Sequence, residues 1–260
     1  MMKRFFAIAL FVLGLGQLYA QPVRDTAWTK AGYFGLKLTQ VSLSSWSAGG
    51  ESALAFDSQI TYSADFKRDR QLWQNRLELG YGLTKNDGKS ARKTNDKIYF
   101  ASTYGYQIYK TLYWSALLNF NTQFAKGYDY NIEDSDFISK FMAPGYLMIG
   151  TGVTWSPNKI FTATFTPASW RGTIVADSRL SDEGAFGVDK GKHLLSEFGA
   201  NLKAEVNYEF LPNMKVYSRL ELYSNYLEDP QNVDVRWEVQ LNMAINKWFS
   251  TTLSTNLLYD

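Results

Sequence analysis

The chain has 260 residues, 16% of them aromatic, with a formal net charge of +2, a single histidine and no cysteine. The lack of cysteine excludes disulfides, thiolate metal centres and cysteine nucleophiles, and one histidine excludes a multi-histidine zinc or iron site within one chain. Near-neutral charge gives no electrostatic case for a nucleic-acid partner, no cofactor is expected, and no internal run stays apolar over the ~18 residues of a spanning helix.

The N-terminus reads as an export signal. Lys3 and Arg4 form a basic region and residues 5–15 an apolar one. Gln17-Leu18-Tyr19-Ala20 follows as the cleavage region, which predicts a signal peptide over 1–20. The apolar run is too short for a retained anchor, and no cysteine follows it to carry a lipid. Residues 21–31 are expected to be a periplasmic leader, and 32–260 the folded domain.

From residue 32 onward, eleven segments alternate apolar and polar side chains, the two-residue period of a strand with two unlike faces. The first covers 32–44, with Phe34, Leu36 and Leu38 on one face. The second (52–67) sets Leu54, Phe56, Ile60 and Phe66 against Asp57, Gln59 and Asp65, and the third (71–84) sets Trp73, Leu77 and Leu79 against Gln74, Arg76 and Glu78. Segments over 97–109, 112–124, 145–155 and 159–167 continue the pattern. The eighth is the cleanest: Phe198, Ala200, Leu202, Ala204, Val206, Tyr208 and Phe210 take every second position, with Lys203, Glu205 and Glu209 between them. Folding the chain back at Leu211-Pro212-Asn213 opposes Glu209 to Lys215, Glu205 to Arg219 and Lys203 to Glu221, which makes favourable cross-strand pairs. The tenth segment (233–245) then brings Arg236 opposite Glu221 and Glu238 opposite Arg219. The eleventh runs from 248 to the end.

Connections alternate in length as well. Those at 67–70, 110–111, 156–158, 211–213 and 246–247 are short; those at 45–51, 85–96, 125–144, 168–195 and 225–232 are long. Short turns at one end and long loops at the other are how bacterial outer-membrane barrels are built. Aromatic side chains mark both ends of the apolar face. Phe66, Trp73, Trp114, Trp155, Phe161, Phe210 and Phe249 lie at the short-turn end; Tyr81, Phe100, Phe120, Tyr146, Phe198, Trp237 and Tyr259 lie towards the other. Such bands suit the two membrane–water interfaces.

A soluble barrel or sandwich would alternate equally well. Three features oppose it. Segments of roughly 11–14 residues exceed the usual ~5–6, the apolar set is too bulky for a small closed interior, and a filled soluble core would bury ionised groups at high cost. The expectation is an all-β, antiparallel, up-and-down transmembrane β-barrel in the cell outer membrane. Its contacts would be lipid and lipopolysaccharide, and its long loops leave room for other outer-membrane proteins. Because bacterial single-chain barrels have even strand counts, eleven segments lead us to expect a twelfth strand and a chain lacking its last one.

The run Val41-Ser-Leu-Ser-Ser-Trp46-Ser-Ala-Gly49-Gly50-Glu51-Ser52 resembles the first-hairpin signature of a Bacteroidetes-type outer-membrane barrel family of unknown function. The later runs Thr166-Pro-Ala-Ser-Trp170, Gly184-Ala-Phe-Gly187 and Ser196-Glu-Phe-Gly199 resemble it too. The resemblance implies a location, a fold and a final strand rich in glycine and aromatics, and no chemistry.

Four constellations remain. Arg76, Glu78, Lys203, Glu205, Arg219, Glu221, Arg236 and Glu238 form rows of alternating sign. Such rows fill and neutralise a narrow lumen, whereas an eyelet that tunes solute passage usually favours one sign. His193 lies near Ser196 and Glu197, which raises a lipid-modifying triad, but Ser196 and Glu197 point to opposite faces once the strand has begun. Asp129, Glu133, Asp134 and Asp136 match no calcium-loop spacing and read as a solvated acidic face. Gly49 and Gly50 suit a tight turn with positive φ. The 170–195 loop is expected to be partly ordered, because Ile174, Val175, Leu180 and Phe186 offer something to bury.

Overall fold

The computed structural model describes residues 27–43, 50–132, 135–244 and 250–259. The signal peptide, most of the leader, Trp46, Gly49, Glu133, Asp134 and Phe249 lie outside the described residues.

One antiparallel sheet of eleven strands dominates the fold. Its strands are β1 (Trp28–Val41), β2 (Ala53–Arg68), β3 (Gln71–Asn86), β4 (Arg92–Tyr109), β5 (Leu112–Thr122), β8 (Gly145–Trp155), β9 (Phe161–Ile174), β10 (Leu194–Leu211), β11 (Met214–Asn225), β12 (Val233–Ala244) and β13 (Ser250–Tyr259). Each pairs with its neighbour in chain order. A separate two-stranded ribbon, β6 (Gly127–Tyr128) with β7 (Phe137–Ser139), rises from the long β5–β8 connection. Helix α1 (Ser178–Glu183) sits in the β9–β10 loop. The first strand begins at Trp28, so residues 28–31 belong to the sheet and not to the expected leader.

The sheet is rolled with its polar face inside. Arg171 on β9 reaches Asp234 on β12 at 3.2 Å, although β10 and β11 lie between them. Tyr99 on β4 lies within the electrostatic reach of Arg219 and Glu221 on β11. Five interstrand spacings of about 4.8 Å would hold those two strands about 24 Å apart in a flat sheet. Strong curvature is therefore required, and the polar face is concave. Among the described residues β1 and β13 are not bonded to each other, so the roll is not closed.

Burial follows this inversion. The convex face carries Phe34 at 66% exposure, Leu38 at 68%, Trp155 at 48% and Trp73 at 42%. On the concave face the side chain of Glu78 is 14% exposed. Buried apolar residues among those described are few: Ala27, Ala143, Val175, Leu180, Val188 and Tyr223. Four of these, Ala143, Val175, Leu180 and Val188, pack together at the long-loop end against Phe137, Ala185, Phe186 and Leu195. Among the described residues, the one compact apolar cluster thus joins the β9–β10 loop to the ribbon, and the sheet itself has none.

Two glycines sit where strands must bulge. The β8–β9 register shifts between Thr151 and Val153, and a Cβ on Gly152 would meet the Phe165 carbonyl oxygen at 2.0 Å. Gly199 faces the Ser224 carbonyl in the same way at 2.0 Å. A side chain there displaces backbone, which is costly at a bulge. Gly152→Ala is expected to lose about 1–3 kcal/mol, seen as a lower temperature for loss of sheet signal in circular dichroism. Gly32→Ala, whose Cβ would make only an ordinary 3.7 Å contact, should leave that temperature nearly unchanged.

Candidate functional site

The concave face collects the chain's polar chemistry in tiers, and the β10–β11–β12 register sets the largest of them. Lys203 pairs with Glu221, Glu205 with Arg219 and Glu209 with Lys215 across β10 and β11; Arg219 pairs with Glu238 and Glu221 with Arg236 across β11 and β12. Side chains then choose partners within this grid. Arg219 donates to Glu238 at 2.6 Å and stands 3.8 Å from Glu221, whose other oxygen lies 4.0 Å from Arg236. Lys203 turns to Glu205 on its own strand, at 3.3 Å, and not across to Glu221. Glu205 accepts from the Tyr217 hydroxyl at 3.0 Å, where the opposed pairing had predicted Arg219. Strand twist favours these alternatives, since i,i+2 neighbours share a face and flexible side chains reach diagonally.

A second group faces this one from β3 and β4. Glu78 accepts from Arg76 and from Lys97, each at 2.5 Å. Tyr99 lies between the two groups, within reach of Arg76 and Glu78 on one side and of Arg219 and Glu221 on the other. Arg76 and Glu78 therefore join the β10–β12 rows through the interior, and Lys97 and Tyr99 are members that strand alternation alone did not single out.

Nearer the long loops, Arg171 lies 3.5 Å from the centre of the Tyr223 ring and bridges Glu197 at 3.8 Å and Asp234 at 3.2 Å. Nearer the short turns the lining changes from ions to hydroxyls. Ser115 donates to Thr154 at 2.8 Å, and Thr154 and Thr164 hydroxyls lie 3.0 Å apart.

On the convex face, three indoles find acceptors within the sheet. Indole N–H groups of Trp73, Trp170 and Trp237 donate to the hydroxyls of Ser102, Ser196 and Ser218 at 2.8, 2.6 and 3.0 Å. Phe66, Trp73, Trp114, Trp155, Phe161 and Phe210 all occupy this face at the short-turn end. Trp28 joins them, with its ring 5.2 Å from Phe66 and 5.9 Å from Trp73. Tyr146 is a correction. It pairs with Asn121 and Thr173 and is electrostatically close to Arg236, so it belongs to the concave face, and Leu147 takes the outer position. The glycines of β8 hide the phase that Trp155, Val153 and Ile149 set.

Loops carry the remaining candidates. Gly50 has φ +125, as its turn required, and Glu51 accepts from Lys89 at 2.8 Å and Asn86 at 2.9 Å. The Lys89 ammonium, aided by Asn86, holds the Glu51 carboxyl below the usual carboxylate range. His193 Nδ1 lies 2.7 Å from the Val175 carbonyl, while Ser196 accepts from Trp170 and Glu197 faces Arg171. These three residues are engaged with different partners and form no triad. Asp177 caps α1 by accepting from Leu180 N–H at 3.0 Å and pairs with Lys140 of the β7–β8 connection at 2.5 Å. Arg179 bonds the Phe137 carbonyl and pairs with Glu183 at 2.6 Å, with its guanidinium 4.5 Å from the Phe137 ring. These contacts tie the long β9–β10 loop to the ribbon beside it.

The fold and site define an all-β chain whose rolled antiparallel sheet carries its ion-pair rows inside and its band of tryptophans and phenylalanines outside. Residues 38–128 match a family model described as Protein of unknown function (DUF3078). The match contains the first-hairpin motif but stops before the 166–199 runs, so it covers less of the chain than the resemblance read from sequence. No curated protein matches the chain.

Two outcomes follow. Arg219→Met alone strands Glu238 and is expected to destabilise by about 1–3 kcal/mol, because removing one partner leaves the other charge inside; Arg219→Met with Glu238→Met should recover most of that loss. Denaturant unfolding of the single and double variants measures both. The Lys140 ammonium, followed by the Leu180 N–H, depresses the Asp177 pKa. A depressed carboxyl contributes stability above its unfolded value of about 3.9 and loses it as pH falls through the lower folded value. Pepsin cleavage of the β9–β10 loop should accordingly accelerate on acidification below about pH 4 in the natural chain, and much less in Asp177→Asn.

Proposed function

We propose that the chain is an integral outer-membrane β-barrel protein with a blocked polar lumen and a non-enzymatic role, acting through its long outer loops on lipopolysaccharide or other outer-membrane proteins. The observation that carries this reading is the inverted polarity of the rolled sheet. Water would meet bulky aromatic and aliphatic side chains over most of the convex face, while the ion pairs sit in the concavity. Contiguous exposed apolar surface on that scale needs a covering partner, and hydrocarbon is the one that fits a face running around a rolled sheet.

The indole–serine pairs support the same solvent. An indole N–H without an acceptor costs little in water, which supplies one, and several kcal/mol in hydrocarbon, which cannot. Aromatic rings at the short-turn end supply the interfacial band, and the N-terminal sequence supplies the export route.

A lumen crossed by balanced ions conducts poorly, since no single sign favours entry and Tyr99 bridges the two charged groups. Fractionation of the natural host is expected to place the protein in the outer-membrane pellet, resistant to high-salt and carbonate washes. Recovery in the soluble periplasmic fraction would sink the reading. In planar bilayers, channels of porin size are not expected from the natural chain; the triple variant Tyr99→Ala, Arg219→Ala, Glu238→Ala should pass measurably more current. Large conductance from the natural chain would favour a solute channel instead.

A further inference from the structure

The concave face contains a chamber that the ion-pair tiers do not use. It lies at the short-turn end, has a volume of about 180 Å³, and is lined by Lys67, Gln74, Thr103, Tyr113, Ser115 and Thr154 among others. Its chemistry differs from that of the tiers above it: hydroxyls, an amide and a phenol share the wall with Leu72 and Gly105, and Lys67 is the one ionised lining residue among those described. Asp65 faces the same interior opposite Gln74, two residues from Lys67 on the same strand, but does not itself line the chamber.

The hydroxyls are partly spent on one another. Ser115, Thr154 and Thr164 form a chain, and Ser156 lies 3.3 Å from Thr162. Each retains acceptor capacity. Lys67 makes no ion pair among the described residues, and the Gln74 amide, Thr103 hydroxyl and Tyr113 hydroxyl also remain available for a ligand. Convergent donors around one cation complement one negative charge, and spare hydroxyl acceptors complement hydroxyl donors on the same solute. Arg76 and Tyr99 lie further along β3 and β4 towards the long loops, where the ion-pair tier stops a solute that enters from the short turns.

We propose that this chamber is a binding site for a small, singly charged hydroxylated carboxylate, taken up from the short-turn side. The proposal rests on the concave face being an enclosed interior, as the reading above has it, but its test does not depend on membrane location. Detergent-purified full-length chain would be titrated calorimetrically with gluconate, and separately with neutral glucose. Gluconate should bind at least tenfold more tightly than glucose. Lys67→Gln, at an exposed position that tolerates the change, should weaken gluconate by roughly ten- to a hundredfold through loss of one charge-assisted contact. Lys110→Gln removes the same charge from a turn at the same end, outside the chamber, and should leave binding unchanged. No gluconate binding, equal affinity for glucose, or an equal loss in Lys110→Gln would each overturn the proposal. None of these outcomes bears on where the protein resides in the cell.

Discussion

The constraint on which the rest depends is that a rolled sheet has only one inside, and this chain has placed its charges there. A soluble sheet protein buries apolar area and spends it against the entropy of ordering the chain. Here, among the described residues, the strands bury almost no apolar side chain, and the one compact apolar cluster, around Val175 and Leu180, lies in the loops. Order in the sheet therefore comes from interstrand hydrogen bonds, from the ion-pair and hydroxyl networks of the concave face, and from whatever covers the convex one. In water that balance would be poor. In hydrocarbon it changes sign, because every unpaired backbone group becomes costly and a continuous sheet leaves few of them.

Strand alternation made most of the sheet legible. The eleven segments, their order and the opposition of Glu205 to Arg219 and of Arg236 to Glu221 follow from a two-residue period and the position of one turn, since register then has little freedom. The period failed where it was interrupted. Lys30 stands on the apolar side of β1, between Trp28 and Gly32, and concealed four residues of strand and the first member of the aromatic band. Gly150 and Gly152 flattened the pattern of β8, and Tyr146 was assigned to the wrong face. The ribbon and α1 escaped because two- to six-residue elements have no period to read.

Partner choice within the charge grid was illegible for a different reason. Opposition in the register fixes Cα neighbours, but a lysine or arginine side chain covers several candidate carboxylates from one position. Lys203 selects Glu205 and leaves Glu221 to Arg219 and Arg236. Curvature decides such choices as much as register does. Only a strongly rolled sheet lets Arg171 span two intervening strands to Asp234, or lets Tyr99 meet charges from both walls. Neither strand order nor alternation states how tightly the sheet rolls.

The serine partners of the outer tryptophans show how solvent leaves a trace in sequence that is hard to see beforehand. A serine among apolar residues reads as noise in the alternation. Once register puts Ser102 beside Trp73 and Ser218 beside Trp237, the same residue becomes the acceptor that lets an indole face a medium without hydrogen bonds. On a water-facing surface such pairs gain less over solvation than they do in a medium without acceptors. On the membrane reading proposed above, their recurrence on three separate strand pairs bears on the medium outside the sheet independently of the charges inside it.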